Sequence, residues 1–257
     1  MKLAVISPVS MLEECSTHYH LVLTQYYSTI PEYRDFYLRR KAQGDFIILD
    51  NGAAELKKSI DEKYLVEVAR ELRPDVLVAP DAIHDYHKTL ERTHNFIGAY
   101  STSLRGLGIS IMGVPQGETK EEWWECYKLF NENLGIQWLG ISMFYDAMFK
   151  GRVNVLKSIK ETVTKPCHLL GIHKNPLKVA DEGKFSFVRS VDSAKPVEFG
   201  LEGLTLDEWY LHRHIDDDTY FKFKPNRDYV AWDHFNKLIR RNVDNMKEVV
   251  KCSSGSY

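Results

Sequence analysis

Three aspartates, Asp50, Asp81 and Asp192, each follow an apolar run of strand length in this chain of 257 residues. Burying a carboxylate costs several kcal/mol unless the group is paired or used in function. Two carboxylates in one pocket can divide glycosidic-bond chemistry, one attacking the sugar carbon and the other moving a proton. Gln116 adds an amide that donates and accepts, and Gly140 permits close approach of a flat ligand. For any one aspartate alone, a helix cap or a turn is an equal alternative.

The elements that position these residues are apolar runs that each end at a polar residue. Six runs share this design, and they lie at 45–55, 76–85, 109–118, 138–144, 168–176 and 187–196. Such runs are typical of buried parallel strands, whose carboxyl ends share one edge of a sheet. A further strand is expected at 20–25 or at 3–8, and the eighth is not assigned.

Helix start signals stand between the runs. Capping boxes are expected at Ser59–Glu62, Thr119–Glu122 and Thr205–Glu208, and Asn175-Pro176 is expected to start another helix. An amphipathic pattern predicts a terminal helix over 228–250. The alternation predicts an α/β fold of (β/α)8, TIM-barrel-like type, as a single domain over 1–257 with a C-terminal helical extension from about residue 200.

Composition narrows the function classes. The formal net charge of −2 gives no global field for nucleic acid, so such a partner requires a local basic patch. The four cysteines form no Cys-x-x-Cys pair, which argues against a disulfide framework and a zinc site and favours a reducing cytosol. No apolar stretch approaches the roughly 18 residues of a membrane span. We therefore expect a cytoplasmic protein without a membrane partner, and the oligomeric state stays open.

Basic and histidine-rich segments supply weaker candidates. The phosphate-binding candidates are Arg39, Arg40, Lys222, Lys224, Arg227 and Arg240. Ordinary solvated surface explains each of them about as well. The pairs His18-x-His20 and His212-x-His214 offer two ligands each without a third, so we expect no metal and no cofactor.

Six motifs stand in order over about residues 45–196: Asp50-Asn51-Gly52, Pro80-Asp81, Val114-Pro115-Gln116-Gly117, Leu139-Gly140-Ile141, Leu170-Gly171-Ile172 and Ser190-Val191-Asp192-Ser193. In this series the chain resembles the tRNA-guanine transglycosylase family, including relatives that place 7-deazaguanine bases in DNA. No single motif is specific, whereas the ordered series is fairly so. The family has a (β/α)8 fold and exchanges guanine for a 7-deazaguanine base without cutting the nucleic-acid backbone.

The resemblance implies a role for each matched position. Asp192 falls at the nucleophile that bonds to the sugar C1′, and Asp50 at the acid that assists proton transfer near the base. The positions that match the base contacts are Asp81, Gln116 and Gly140, with Asn51 and Ser142 beside them. The implied partners are DNA, or alternatively tRNA, and a free 7-deazaguanine base.

Departures from the family pattern select between its branches. The tRNA enzymes carry a zinc-binding Cys-x-Cys-x-x-Cys motif that this chain lacks, and the chain is short for a tRNA enzyme. Their stacking aromatic is missing after Asp50, so Phe144 or Tyr145 would have to supply it, and aromatics at 220–223 could fill the gap left by a flipped nucleotide. These departures favour the DNA branch, with host cytoplasm as the location if a phage encodes the chain.

Three alternatives stay open at this point. The first is a tRNA-guanine transglycosylase, and the second is a noncatalytic nucleic-acid-binding paralogue. The third is a barrel lyase or isomerase for a small phosphorylated metabolite, although the chain shows no Gly-rich phosphate loop.

Overall fold

Eight strands carry the polar residues singled out in the sequence. The computed structural model describes residues 1–213, 215–228 and 231–252. Within these residues the strands are β1 (Lys2–Val5), β2 (Tyr19–Leu23), β3 (Phe46–Asp50), β4 (Val76–Val78), β5 (Ser110–Gly113), β6 (Trp138–Ser142), β7 (Cys167–Leu170) and β8 (Val188–Ser193). They belong to one sheet in the order β1-β8-β7-β6-β5-β4-β3-β2. Helices alternate with the strands, which confirms the predicted α/β fold of (β/α)8, TIM-barrel-like type.

Helices of varied length connect the strands. In the described part of the chain, the α-helices are α1 (Leu12–Cys15), α2 (Thr24–Tyr27), α3 (Pro31–Ala42), α4 (Ala53–Leu56), α5 (Glu62–Leu72), α6 (Tyr86–Gly106), α7 (Lys120–Glu132), α8 (Asp146–Phe149), α9 (Arg152–Ile159), α10 (Val179–Glu182), α11 (Lys195–Leu201), α12 (Asp217–Lys222) and α13 (Trp232–Cys252). Short 3-10 helices cover Val9–Met11, Met143–Tyr145, Pro176–Lys178 and Leu206–Leu211. None of these helices has the length and hydropathy needed to cross a bilayer.

The residues group into two compact units. The first unit joins residues 1–20 to residues 171–257, and the second unit comprises residues 21–170. The first contains β1, β8 and α10 to α13, whereas the second contains β3 to β7 and α2 to α9. Asp192 therefore belongs to the first unit, and Asp50 and Asp81 belong to the second.

The second unit is built on five parallel strands. Ile48 pairs with Val76 between β3 and β4, and Leu139 pairs with Cys167 between β6 and β7. The strand residues are almost wholly buried because helices cover the outer face, as continuous apolar runs predict. Helix α5 adds an apolar stripe of four buried side chains, Leu65, Val68, Ala69 and Leu72.

The first unit is built on the β1–β8 pair and on α13. Ala4 pairs with Asp192 in the parallel register of β1 and β8. The predicted stripe of α13 is buried at Ile239, Val243, Met246 and Val250. Helices α11 and α13 pack closely at Gly200, where a Cβ would lie 2.7 Å from the Ile239 Cα.

Several local expectations change in the structure. The capping box predicted at Ser59–Glu62 is wrong, because the side chain of Asp61 accepts the hydrogen bonds that start α5. The box at Thr119–Glu122 is confirmed, and the box at Thr205–Glu208 starts a 3-10 helix. Both 3–8 and 20–25 contain a strand, so the two candidates are β1 and β2 rather than alternatives. The predicted terminal helix begins at Trp232, and its residues 229 and 230 lie outside the described part.

Candidate functional site

Asp81 is the best-defined carboxylate of the second unit. It follows β4, and only 3% of its surface is exposed. Its Oδ1 accepts a hydrogen bond from Asn51 Nδ2 at 2.9 Å, and its Oδ2 accepts one from Gln116 Nε2 at 2.5 Å. Among the described residues no cation lies within ion-pair distance of it. Each carboxylate oxygen keeps further acceptor capacity for a ligand.

The protonation of Asp81 follows from this setting. Burial raises the pKa of Asp81 above its ordinary value of 3.8. The hydrogen bonds from Asn51 and Gln116 and the positive charge of Arg92 oppose that rise. A buried acid held mainly by neutral amides is the kind of group that is found at functional sites.

A chain of hydrogen bonds orients Gln116 toward Asp81. Gln116 Oε1 accepts from the Tyr145 hydroxyl at 2.5 Å and from the main-chain N–H of His84 at 3.3 Å. The Tyr145 hydroxyl itself accepts from the Gly117 N–H at 3.0 Å. With its oxygen satisfied in this way, Gln116 presents its Nε2 to Asp81. Burial raises the pKa of Tyr145 to about 12, so this hydroxyl keeps its proton.

Asp50 and Asn51 lie where β3 ends. Asp50 is 8% exposed, and its Oδ2 accepts the Gly52 N–H at 2.7 Å. The Thr24 hydroxyl donates to the main-chain oxygen of Asp50. Gly52 has a φ of +73°, a backbone conformation that glycine adopts without strain. Asn51 Nδ2 also donates to the Ala79 carbonyl at 2.7 Å, which ties the end of β3 to the segment after β4.

Asp192 stands in the first unit near the end of β8. It is 5% exposed, and its Oδ1 accepts the main-chain N–H of Gly171 at 3.0 Å. Gly171 has a φ of +69°, so glycine suits the turn that supplies this donor. The nearby His173 accepts the Asn175 N–H at its Nδ1, at 3.0 Å. A backbone donor therefore fixes the orientation of the Asp192 carboxylate.

Gly140 and Ser142 each have a structural role in β6. A Cβ on Gly140 would lie 2.8 Å from Val114 Cγ2 and 2.9 Å from Leu170 Cδ1, so a larger residue there would force these side chains to shift. Ser142 Oγ accepts the Phe144 N–H at 3.2 Å and caps the following 3-10 helix. Contact of either residue with a base stays a prediction.

The two aromatic candidates for stacking differ in exposure. Tyr145 is 1% exposed and acts through its hydroxyl, whereas Phe144 is 46% exposed. The His84 ring lies beside both, with ring centroids 6.2 Å from Phe144 and 5.4 Å from Tyr145. His84 also has a φ of +62°, and such a backbone conformation in a bulky residue is strained. Phe144 is thus the candidate with an exposed ring.

The basic candidates of the second unit lie away from Asp50. Arg39 and Arg40 are in the last turn of α3, which leads to the amino-terminal end of β3. Asp50 ends that strand, roughly 13 Å away at the rise of a β-strand. Arg40 Nε also forms an ion pair with Asp45 Oδ2 at 2.6 Å. Phosphate binding by this pair is still a prediction, with Arg40 already engaged.

The basic candidates of the first unit are exposed, and these are Lys222, Lys224, Arg227 and Arg240. Lys222 forms an ion pair with Asp218, and Arg227 forms one with Glu14 at 3.0 Å. The neighbouring Phe221 is only 4% exposed. The suggested insertion of Phe221 into a DNA stack is therefore corrected, because this ring is part of the core.

The histidine pairs are placed only in part. His214 lies outside the described residues. His212 is held between two carboxylates, with its Nε2 3.2 Å from Glu198 Oε2 and its Nδ1 2.9 Å from Glu202 Oε2. Over the described ranges, no group of three or more histidine, cysteine, aspartate or glutamate residues could hold a metal ion.

Sequence reasoning missed two polar residues near Asp81 and Asp50 and the role of a third. It did not assign the hydroxyl role of Tyr145, and it did not identify Arg92, whose Nη1 donates to the main-chain oxygen of Asp81 at 3.0 Å. It also missed Gln25, whose buried side-chain amide has no hydrogen-bond partner in the described structure. Gln25 lies beside the turn after β3, because a Cβ on Gly52, two residues after Asp50, would lie 3.1 Å from Gln25 Oε1. The position of Gln25 just after an apolar run was the available signal.

Comparison with known proteins adds no relative. No protein-family model matches the chain, and no curated protein matches its sequence. The argument about function therefore depends on the site itself.

Proposed function

We propose that this protein is a transglycosylase that exchanges guanine in DNA for a 7-deazaguanine base. The observation that carries the proposal is the buried Asp81 carboxylate, with one amide donor on each oxygen and no cation at ion-pair distance in the described structure. The guanine edge presents two adjacent donors, N1–H and the exocyclic amine. A carboxylate accepts both of them in a charge-assisted pair.

The same pairing explains why two different bases would be accepted. A 7-deazaguanine base differs from guanine in its five-membered ring and keeps the same donor edge. Asp81 would therefore bind the leaving and the entering base alike, while the second N–H of Gln116 Nε2 can donate to the base. Discrimination against adenine follows, because adenine places an acceptor where guanine has N1–H.

The proposed chemistry uses the other two aspartates. Asp192 attacks C1′ of the deoxynucleotide, so that a C1′–O bond forms while the C1′–N9 bond to guanine breaks. Asp50 gives a proton to the departing base, and it later takes one from N9 of the incoming base. The second base then attacks C1′ and releases Asp192 unchanged. Each half-reaction passes through an oxocarbenium-like sugar that a carboxylate stabilises.

DNA is proposed over tRNA on a feature of the chain. The cysteines lack the spacing of a Cys-x-Cys-x-x-Cys zinc site. Cys15, Cys126 and Cys167 are free and buried, within the side chains that the structure describes. The branch that modifies tRNA carries such a zinc site, so its absence from the sequence supports the DNA branch.

Mass spectrometry of nucleosides tests the proposal. The protein is incubated with a free 7-deazaguanine base and either duplex DNA or tRNA, and Asp192→Asn is the matched control. We expect a modified deoxynucleoside only when Asp192 is intact. A modified ribonucleoside would assign the protein to tRNA instead. If neither product forms, nucleic-acid binding without turnover would favour a noncatalytic paralogue, and binding of a sugar phosphate would favour a metabolite lyase or isomerase.

A further inference from the structure

A cavity of about 320 Å³ lies next to the segment that carries Asp81, within the second unit. Its walls are residues 59–63, at the start of α5, and Arg92 and Tyr100 of α6. This volume is at the lower end of the roughly 300–1,000 Å³ range of small-ligand sites. It has room for a single nucleotide and is too small for an oligonucleotide.

Arg92 is one of two cations in the cavity wall, with Lys63, and the wall also contains the acids Asp61 and Glu62. Its Nη1 donates to Ser59 Oγ and to the Asp81 main-chain oxygen, both at 3.0 Å. In the described structure no carboxylate forms an ion pair with Arg92, and its Nε and Nη2 have no hydrogen-bond partner. Because a guanidinium carries five N–H donors in a planar fork, a phosphate is the group that these remaining donors fit.

The other walls suit the remaining parts of a nucleotide. Lys63 is exposed, has no ion-pair partner in the described residues, and adds a second cation. The half-buried Tyr100 supplies an aromatic ring on the same wall as Arg92. Glu62 adds a carboxyl group to the cavity wall. Burial, and then the charge of Asp61, raises the pKa of Glu62.

We propose that this cavity binds one nucleotide, with its phosphate on Arg92 and Lys63 and its base against Tyr100. Arg92 Nη1 donates to the main-chain oxygen of Asp81. A phosphate bound to the same guanidinium would therefore lie close to the proposed base-binding residue. Resting on the proposed function, the natural occupant is the nucleotide adjacent to the exchanged one in the same strand. The cavity is therefore a second contact with the nucleic acid, separate from Asp81.

Direct binding of a mononucleotide tests the inference without requiring turnover. Titration calorimetry compares deoxyadenosine monophosphate, deoxyadenosine and inorganic phosphate on the full-length protein. We expect the monophosphate to bind at least about tenfold more tightly than either fragment, because only it engages both the cations and Tyr100. Adenine is chosen because the proposed Asp81 site discriminates against it. Equal affinity for inorganic phosphate and the monophosphate, or no binding of the monophosphate at millimolar concentration, would overturn the proposal.

Matched variants locate the site. Arg92→Gln and Lys63→Gln should weaken monophosphate binding by about tenfold and about threefold, and Tyr100→Leu should weaken it to the level of phosphate. Lys63→Gln tests the site even if Arg92→Gln does not fold, because Lys63 is exposed and has no described partner. Arg70→Gln is the control, since it removes the same charge from an exposed position of α5 outside the cavity. Equal losses in Arg70→Gln and Lys63→Gln would contradict the assignment, whatever the outcome of the base-exchange assay.

Discussion

Carboxylates at the two edges of the sheet in the second unit have different hydrogen-bond and ion-pair partners. At the amino-terminal edge, Asp45 precedes β3 and pairs with Arg40 at 2.6 Å, and Asp75 precedes β4 and pairs with Lys41 at 2.7 Å. At the carboxyl-terminal edge, Asp81 follows β4 and bonds to two neutral side-chain amides. Asp75 and Asp81 thus flank the same three-residue strand in opposite electrostatic settings.

The difference separates a carboxylate that supports the fold from one that is available to a ligand. An ion pair satisfies both partners and stabilises the structure modestly. A buried carboxylate without a cation destabilises the folded protein, and such groups are concentrated at functional sites. The comparison therefore predicts that removing a carboxylate at the amino-terminal edge lowers stability, whereas removing Asp81 at the carboxyl-terminal edge lowers activity.

The largest expected effect on activity comes from replacing a single aspartate with asparagine. Asp81→Asn is expected to lower kcat/KM for base exchange about 30–150-fold, because it removes about 2–3 kcal/mol of charge-assisted hydrogen bonding. Asp75→Asn should leave kcat/KM unchanged and lower the free energy of unfolding by about 1 kcal/mol. Urea unfolding and steady-state kinetics on both variants measure the contrast. Activity loss in Asp75→Asn equal to that in Asp81→Asn would remove the distinction between the edges.

Gly140→Ala tests whether the glycine in β6 is required by packing. The new Cβ would lie within 3.0 Å of Val114 and Leu170, so the free energy of unfolding should fall by about 1–3 kcal/mol. Gly98→Ala is the control, because a Cβ there meets nothing within 4 Å in α6 and should stabilise the helix by about 0.5–1 kcal/mol. Thermal unfolding of both variants gives the two signs. An unchanged melting temperature in Gly140→Ala would refute the packing explanation.

Tyr145→Phe should have a smaller effect at the same edge as Asp81. Without the hydroxyl, Gln116 Oε1 loses its 2.5 Å donor, and the amide is less firmly turned toward Asp81. We expect kcat/KM to fall about tenfold, equivalent to about 1.4 kcal/mol, with most of the change in KM. Tyr127→Phe provides a control that removes a hydroxyl bonded to Thr162 in the same unit. An equal fall of kcat/KM in both variants would indicate a general loss of structure and would contradict a specific role of Tyr145.

The smallest expected effect is the pH dependence of stability and of base affinity at Asp81. Burial raises the folded-state pKa of Asp81 above 3.8, so the contribution of this group to stability is present below pH 3.8 and is lost as the pH rises through its folded value. Base binding needs the ionised carboxylate and should therefore weaken as the pH falls through that same value. A pH titration of base affinity should show an acid limb above pH 3.8 that is absent in Asp81→Asn. An unchanged limb in the variant would assign it to another group.

The strands could be predicted from the sequence more accurately than the local roles of individual residues, such as helix caps and packing contacts. Apolar runs of strand length identified six strands because burial on both faces leaves a continuous apolar signal. Ser59 was predicted as the helix cap, whereas Asp61 caps α5, because both residue types suit a helix start and only the backbone geometry decides between them. The packing role of Gly140 depends on Val114, which follows β5, and on Leu170 of β7, and contacts so distant in sequence leave no local pattern.

The candidate site was predictable in its acids and not in their partners. Asp50, Asp81 and Gln116 were found because each follows an apolar run. Their partners Tyr145 and Arg92 act from positions 29 and 11 residues away from the groups they bind, and such contacts arise only from the tertiary fold. A local pattern therefore identifies which residues end the strands, and the fold determines which of them are held together.

The covalent intermediate is the most direct test of the account. The protein is incubated with duplex DNA without an incoming base and is then analysed under denaturing conditions, with peptide mapping of any protein–DNA adduct. The account predicts an adduct at Asp192 that is lost in Asp192→Ala and resolved by adding a 7-deazaguanine base. Base exchange without an adduct, or an adduct at any other residue, would contradict it.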